Sequence, residues 1–315
     1  MHIDITINTD DKYLQHAMAM LCSFFESNIK HDVSLHVLQK NLSDYSKQSI
    51  KELCTKYSNS VFFYKVDETR LEGVQFRQNR PLTMAAYYRL LLSSLLPFSI
   101  HKVLYLDCDM IIKGDVSSLF AIELSNYALA ASVDNSPYTS HHREQLHLSV
   151  GTPTFCSGIM LVNLDYWRTN NCEVGLIEFA KRKRDIVYLH DQDVMNYYFK
   201  NKWFILPPKW NRNAYDLKLP SYGGYKKFDD LEYLFFPKIL HYADSFMKPW
   251  NLGISCEKRQ YEYFLKKSGF ENIQYTKISL RGKIFALKIF IKNVLVLKFK
   301  RFLYRKALKK YEVYD

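Results

Sequence analysis

The chain has 315 residues, 48% of them hydrophobic and 16% aromatic, with a formal net charge of +12. That much apolar material supplies a sizeable core and excludes a disordered chain. Residues 277–315 hold twelve Lys or Arg against two acids, so the tail accounts for +10 of the charge. The first 276 residues carry only +2 and contain no recognised RNA- or DNA-binding motif, so no nucleic-acid partner is expected.

Ile3 to Ile7 reads as a short strand that runs into the polar turn Asn8-Thr9-Asp10-Asp11. Leu14, Ala17, Met18, Leu21, Phe24 and Phe25 follow at helical spacing. Val33 to Leu38 is a second strand, and Ser43 caps a helix whose inner face is Ile50, Leu53, Cys54 and Tyr57. Val61 to Tyr64 is a third strand, Met84 to Leu95 a helix, and Val103 to Leu106 a buried strand ending in Asp107-Cys108-Asp109. This alternation predicts a mostly parallel, Rossmann-like α/β sheet with helices on both faces and ligands at the carboxyl ends of its strands.

Further along, Ala128 to Val133 and Ile159 to Leu164 read as strands, 173–184 and 193–200 as helices. Segment 207–230, with Pro207-Pro208, Pro220 and Gly223-Gly224, is loop-rich and suits an acceptor-side surface. Lys238 to Tyr242 is a last strand and 257–267 a helix. The six cysteines form no CxxC pair or compact framework, and no secretory signal is visible, so they read as reduced thiols of a cytoplasmic protein.

Two carboxylates two positions apart at a strand end can face one hard cation, and oxygen-rich sites suit Mg²⁺ or Mn²⁺. Such an ion bridges a diphosphate and neutralises the charge that develops as it leaves. By itself a DxD is common, and most are solvated turn carboxylates.

Several further blocks stand in one order. They are Thr9-Asp10-Asp11-Lys12-Tyr13, Tyr87-Tyr88-Arg89-Leu90, and Lys102 through Asp109. Then come Phe155-Cys156-Ser157-Gly158 with Leu161-Val162-Asn163-Leu164, Asp191-Gln192-Asp193, and His241-Tyr242 with Lys248-Pro249-Trp250. Together they resemble glycosyltransferase family 8, the retaining bacterial lipopolysaccharide galactosyl- and glucosyltransferases with glycogenin as a distant relative.

The resemblance implies a GT-A type fold over residues 1–276 and transfer of a hexose, galactose or glucose, from a UDP-sugar to a lipopolysaccharide or other surface glycan. It implies Asp107, Asp109 and His241 as ligands of Mn²⁺ or Mg²⁺, with the imidazole tilting the choice toward Mn²⁺. The donor-binding residues it implies are Asp10, Asp11, Arg89, Asp107, Cys156, Asp191 and Lys248, although Asp11 also suits a helix cap. It implies Asp191 and Gln192 beside the sugar as the catalytic pair. An amide oxygen is a poor nucleophile, which favours front-face transfer over a covalent intermediate, here on Asp191; either gives retention.

Three departures bear on donor identity: Lys12 where the family usually has Asn, Cys156 where it has Asn, and no glycine in Ala243 to Met247 after His-Tyr. Two other readings compete. A metal-dependent phosphohydrolase would assemble two metals with more His ligands, and a degenerate glycan-binding member would not need the intact Asp107, Asp109 and His241.

Residues 283–310 interleave apolar and aromatic side chains with ten Lys or Arg, and the charges break every apolar run too soon for a membrane span. The 277–315 tail is therefore expected to lie as an amphipathic helix on an anionic membrane, holding the enzyme at the inner face of the cell membrane.

Overall fold

The computed structural model describes residues 1–74, 84–134, 143–149, 151–183, 186–187, 189–213, 232–243, 248–251, 258–270 and 273–277, with scattered positions from 279 to 298. Most of segment 207–230, the loop 244–247 and most of the basic tail lie outside the described residues.

Strand β1 (His2–Asn8) alternates isoleucines with polar residues, while β2 (Asp32–Gln39), β3 (Ser60–Lys65) and β4 (Lys102–Leu106) carry apolar side chains on both faces. That composition suits a sheet covered on both sides. Ile3, Ile5 and Ile7 of β1 are fully buried, each contributing about 1.5–3 kcal/mol over an exposed position. The first two crossovers are helices α1 (Leu14–Ser27) and α2 (Asp44–Lys56). Ser43 caps α2, its side chain accepting from the Ser46 amide, a bond of about 1 kcal/mol.

The chain divides into two units, the first made of residues 1–17, 28–108 and 115–206, the second of 18–27, 109–114 and 207–315. The first unit holds a seven-stranded sheet of order β3-β2-β1-β4-β7-β6-β8, where β6 is Leu129–Val133, β7 Phe155–Asn163 and β8 Trp203–Leu206. Every pairing is parallel except the two made by β7. The expected GT-A type α/β fold is therefore the fold observed, with one antiparallel strand inserted. Helices α3 (Leu92–Leu95), α4 (Ser117–Phe120), α5 (Leu164–Thr169), α6 (Cys172–Arg182) and α7 (Asp191–Tyr198) complete this unit. In α6, Gly175 sits where a Cβ would lie 2.2 Å from the Tyr198 hydroxyl of α7, so the two helices touch without clearance.

Two local readings needed correction. Met84–Leu91 is a 3₁₀ segment, with only Leu92–Leu95 after it α-helical. The strand expected from Ile159 begins at Phe155, so Cys156, Ser157 and Gly158 are sheet residues.

The second unit holds a small sheet of order β5-β10-β9, from β5 (Met110–Ile112), β9 (Arg212–Asn213) and β10 (Ile239–His241). Beside it are the short α8 (Glu232–Phe235) and α9 (Lys258–Lys267). Ile111, Leu240, Tyr242, Trp250, Tyr261 and Leu265 form its core. Asn251 bridges to Thr276, whose amide donates to the Trp250 carbonyl at 2.8 Å. Beyond it Leu280, Ile284, Leu287, Ile291 and Leu295 are helical and exposed. Among the described residues no helix is long and apolar enough to cross a membrane. Cys22, Cys54, Cys108, Cys156 and Cys172 are free and buried.

Candidate active site

Past the buried β4, the chain leaves the sheet as Asp107-Cys108-Asp109. The first polar side chains beyond such a strand stand at the carboxyl edge of the sheet, where ligands bind.

In the first unit the edge is organised by Arg89, from the 3₁₀ segment, which is 5% exposed. Its guanidinium lies over the Tyr105 ring, 4.4 Å from the centroid. Nη1 donates to the Ser157 carbonyl (2.7 Å) and Oγ (3.2 Å), and Nη2 to Asp107 Oδ1 (2.9 Å). Nε is 3.2 Å from Asp191 Oδ2. Burial works against a charged guanidinium, but the carboxylates of Asp107 and Asp191 more than reverse it and hold Arg89 protonated. The Tyr105 hydroxyl is shared between Asn8 Oδ1 and Asp107 Oδ1.

Asp191 opens α7. Burial pushes its carboxyl up to about 6, against the pull of Arg89, and Asp107 adds to the rise. Ser157 Oγ donates to Asp191 Oδ2 at 3.1 Å. The turn into α7 closes through Gln192 N to Leu189 O (3.1 Å), and Asp193 Oδ2 accepts from the Leu189 amide (2.6 Å). His190 takes φ 53°, ψ −122° in that turn, a conformation that costs a residue with a Cβ of order 1–3 kcal/mol and clusters at functional sites. Gln192 Oε1 accepts from the Ser157 amide (3.0 Å), and its Nε2 donates to Asp134 Oδ2 (3.0 Å).

In the second unit Asp109 is the centre. Its Oδ2 pairs with Lys248 Nζ at 2.5 Å, and Lys248 also donates to the Tyr242 carbonyl (2.9 Å). Its Oδ1 lies 3.3 Å from His241 Nε2. Burial alone would raise the carboxyl, but the Lys248 ammonium beside it holds it ionised far below the usual carboxylate range. His241 Nδ1 lies 2.9 Å from Asn211 Oδ1, an acceptor, which puts the proton on Nδ1 and turns the Nε2 lone pair toward Asp109. Asp109 Oδ1 is buried without a hydrogen-bond partner. An imidazole lone pair facing an unsatisfied carboxylate oxygen is the donor set a divalent cation fits. Asp107, Asp109 and His241 form the one group of His, Cys, Asp and Glu suited to a metal among the described residues.

Asp10 and Asp11 make other contacts. Asp10 Oδ1 takes the Tyr13 amide (2.9 Å), while Asp11 Oδ1 takes the Ser43 amide (3.1 Å) and the Ser46 hydroxyl (2.6 Å). Asp11 thus reinforces the start of α2, and those hydrogen bonds, the Ser46 hydroxyl foremost, lower its carboxyl pKa. Cys156 is buried in β7, one position before Ser157. Sequence reasoning passed over Ser157, Tyr105, Asn8 and Asn211. Ser157 lay inside a quoted block, so its signal was present; Asn211 had none.

A cationic arginine beside buried carboxylates at the carboxyl edge of a Rossmann-like sheet suits an enzyme that handles a charged ligand. Residues 4–252 match the family model "Glycosyl transferase family 8", and the chain belongs to that family and is a glycosyltransferase. It is similar to general stress protein A of Bacillus subtilis (strain 168), 30% identical over 264 residues, covering 81% of this chain and 89% of that protein. It is 25% identical over 283 residues to a lipopolysaccharide 1,2-glucosyltransferase of Escherichia coli, 87% of this chain and 81% of that one. Among solved structures it shares its fold with the galactosyltransferase LgtC in complex with donor and acceptor sugar analogues. That match has a TM-score of 0.72 at 22% identity over 89% of this chain and 100% of the other. The family resemblance carried by the motif blocks is borne out.

Proposed function

We propose that this glycosyltransferase moves galactose or glucose from its UDP form to a lipid-linked saccharide of a surface glycan, with retention. The Arg89 hub, which joins Asp107, Asp191 and Ser157 in one buried network, is the observation that carries the reading. The lipopolysaccharide glucosyltransferase among its relatives and the galactosyltransferase fold support the donor and acceptor classes.

Asp107, Asp109 and His241 would hold Mn²⁺ or Mg²⁺, which supplies Lewis-acid neutralisation of the diphosphate. Lys248, beside Asp109, adds a cation for the same leaving group. Asp10, Asp11 and Cys156 complete the donor contacts. Asp191 holds sugar hydroxyls, and Gln192 turns its carbonyl oxygen toward the anomeric carbon. The acceptor oxygen bonds to that carbon on the face from which the diphosphate departs, and its proton passes to the departing diphosphate oxygen. Asp191 Oδ2 is already engaged by Arg89 and Ser157, which lowers its nucleophilicity and favours this front-face route over a covalent intermediate.

The test is donor hydrolysis and transfer across a panel of UDP-sugars with Mn²⁺, followed by proton NMR of the first product. An α-linked product from UDP-galactose or UDP-glucose is expected. A β linkage, or turnover of simple phosphate esters instead of UDP-sugars, would reject the reading.

We further propose that residues 1–276 are the catalytic domain and 277–315 a membrane anchor that keeps the enzyme on the inner face of the cell membrane. The exposed residues Leu280, Ile284, Leu287, Ile291 and Leu295 recur at helical spacing, and each nearby Lys or Arg adds about 1 kcal/mol at an anionic surface. Full-length protein should sediment with anionic vesicles, less so in high salt, and the 1–276 protein should stay in solution while hydrolysing donor normally. Equal sedimentation of both would reduce the tail to a covering helix.

A further inference from the structure

Gln192 stands in the first turn of α7, and a glutamine amide has two nearly isosteric ends. Its two partners remove that ambiguity. The Ser157 amide can only donate, and it lies 3.0 Å from one end. The Asp134 carboxylate can only accept when ionised, and it lies 3.0 Å from the other. The oxygen must face Ser157 and the nitrogen must face Asp134; the flipped amide would set donor against donor and acceptor against acceptor.

We propose that Asp134 is a positioning residue that sets the orientation and the polarity of the Gln192 amide. Asp134 follows directly on β6, is buried, and donates its own amide to the Thr154 carbonyl at 2.8 Å, so it comes from the rigid sheet. Two chain segments, the end of β6 and the start of β7, thereby hold the two ends of one side chain. A charge-assisted bond from Nε2 to a carboxylate pushes electron density toward Oε1, because hydrogen bonds in a chain polarise one another. The Ser157 amide occupies one lone pair of that oxygen; the Ser157 hydroxyl is 3.5 Å away but closer to Asp191 Oδ2, at 3.1 Å, so with its one proton given to Asp191 the second lone pair can meet the positive charge that develops on the sugar. The effect appears in the transition state and not in donor binding.

This rests on the proposed role of Gln192, so the test is a double-mutant cycle in the full-length protein. Asp134→Asn keeps shape and removes the acceptor-only partner; Asp134→Ala removes it entirely. Donor hydrolysis and transfer are read as kcat and donor KM, with unfolding midpoints as the control for folding. Each Asp134 variant is expected to lower kcat by about 10–100-fold with donor KM nearly unchanged. In a Gln192→Ala background the same change should lower kcat by less than about twofold, because the effect on the amide has already been lost there. Multiplicative losses in the double variant, or a raised acceptor KM at unchanged kcat, would overturn the proposal while leaving Gln192 in its role. A Gln192→Ala enzyme with wild-type kcat would overturn both.

Discussion

Asp109→Asn is expected to lower transfer by at least about 10³-fold, with no rescue by millimolar Mn²⁺. The substitution keeps the shape of a side chain that is held between Lys248 and His241 and deletes its charge. The loss has two parts. A neutral amide is a poor ligand for a hard divalent cation, so metal affinity falls. Lys248 also loses its counter-charge, and because both groups are largely buried, the ammonium is left less well compensated. A modest drop in unfolding temperature should accompany the loss of activity, smaller than for Asp109→Ala, which would also remove the hydrogen-bond acceptor. Calorimetric titration with Mn²⁺ reads the first effect and thermal unfolding without metal reads the second. Undiminished turnover of the variant, or of the wild type in excess chelator, would end the metal assignment.

Asp191→Asn should lower kcat by about 10²–10³-fold and yet cost little stability. The sign follows from the carboxyl pKa, raised by burial to about 6. A carboxyl whose folded pKa lies above its unfolded value favours the native state in its protonated form. That contribution is full below the unfolded value and is lost as pH rises through about 6. At pH 8 the wild type therefore holds a costly buried carboxylate that the Asn variant lacks, so the variant should unfold at an equal or higher temperature there. For activity the ionised form is the competent one, and kcat/KM of the wild type should fall on the acid side of about pH 6. A flat wild-type profile from pH 5 to 8, together with a variant clearly less stable at pH 8, would contradict this account.

Much of this was readable beforehand where the residues carry their own pattern. Lys102 to Asp109 declares a buried strand and an acidic exit by composition alone. Ser43 and the apolar face of α2 declare a capped helix. The rest was hidden for definable reasons. Met84–Leu91 is 3₁₀, and its apolar spacing looks the same as that of an α-helix over two turns. Phe155 to Gly158 contains Cys, Ser and Gly, which read as loop, yet it pairs with β6 across a register shift between Ala131 and Val133. Met110–Ile112 is too short to announce itself as a strand, and its partner β10 is remote in sequence. That Asp11, at the end of β1, would bind Ser43 and Ser46 of the second crossover was beyond any spacing in the sequence. Which side chains Arg89 would gather was likewise beyond periodicity, since its partners arise from three separate segments.

The contact of Gly175 with Tyr198 makes α6 a gauge block for the helix that begins with Asp191. A side chain at 175 must displace the Tyr198 ring, and where that ring cannot swing aside the strain passes to α7, the helix that carries Asp191 and Gln192. Displacements near 1 Å can cost about 10²-fold in rate. A loss of activity in a Gly175→Ala variant that keeps its fold would thus be a lesion with no catalytic group to blame. The tolerance of the active site is set partly by how closely two helices are allowed to approach.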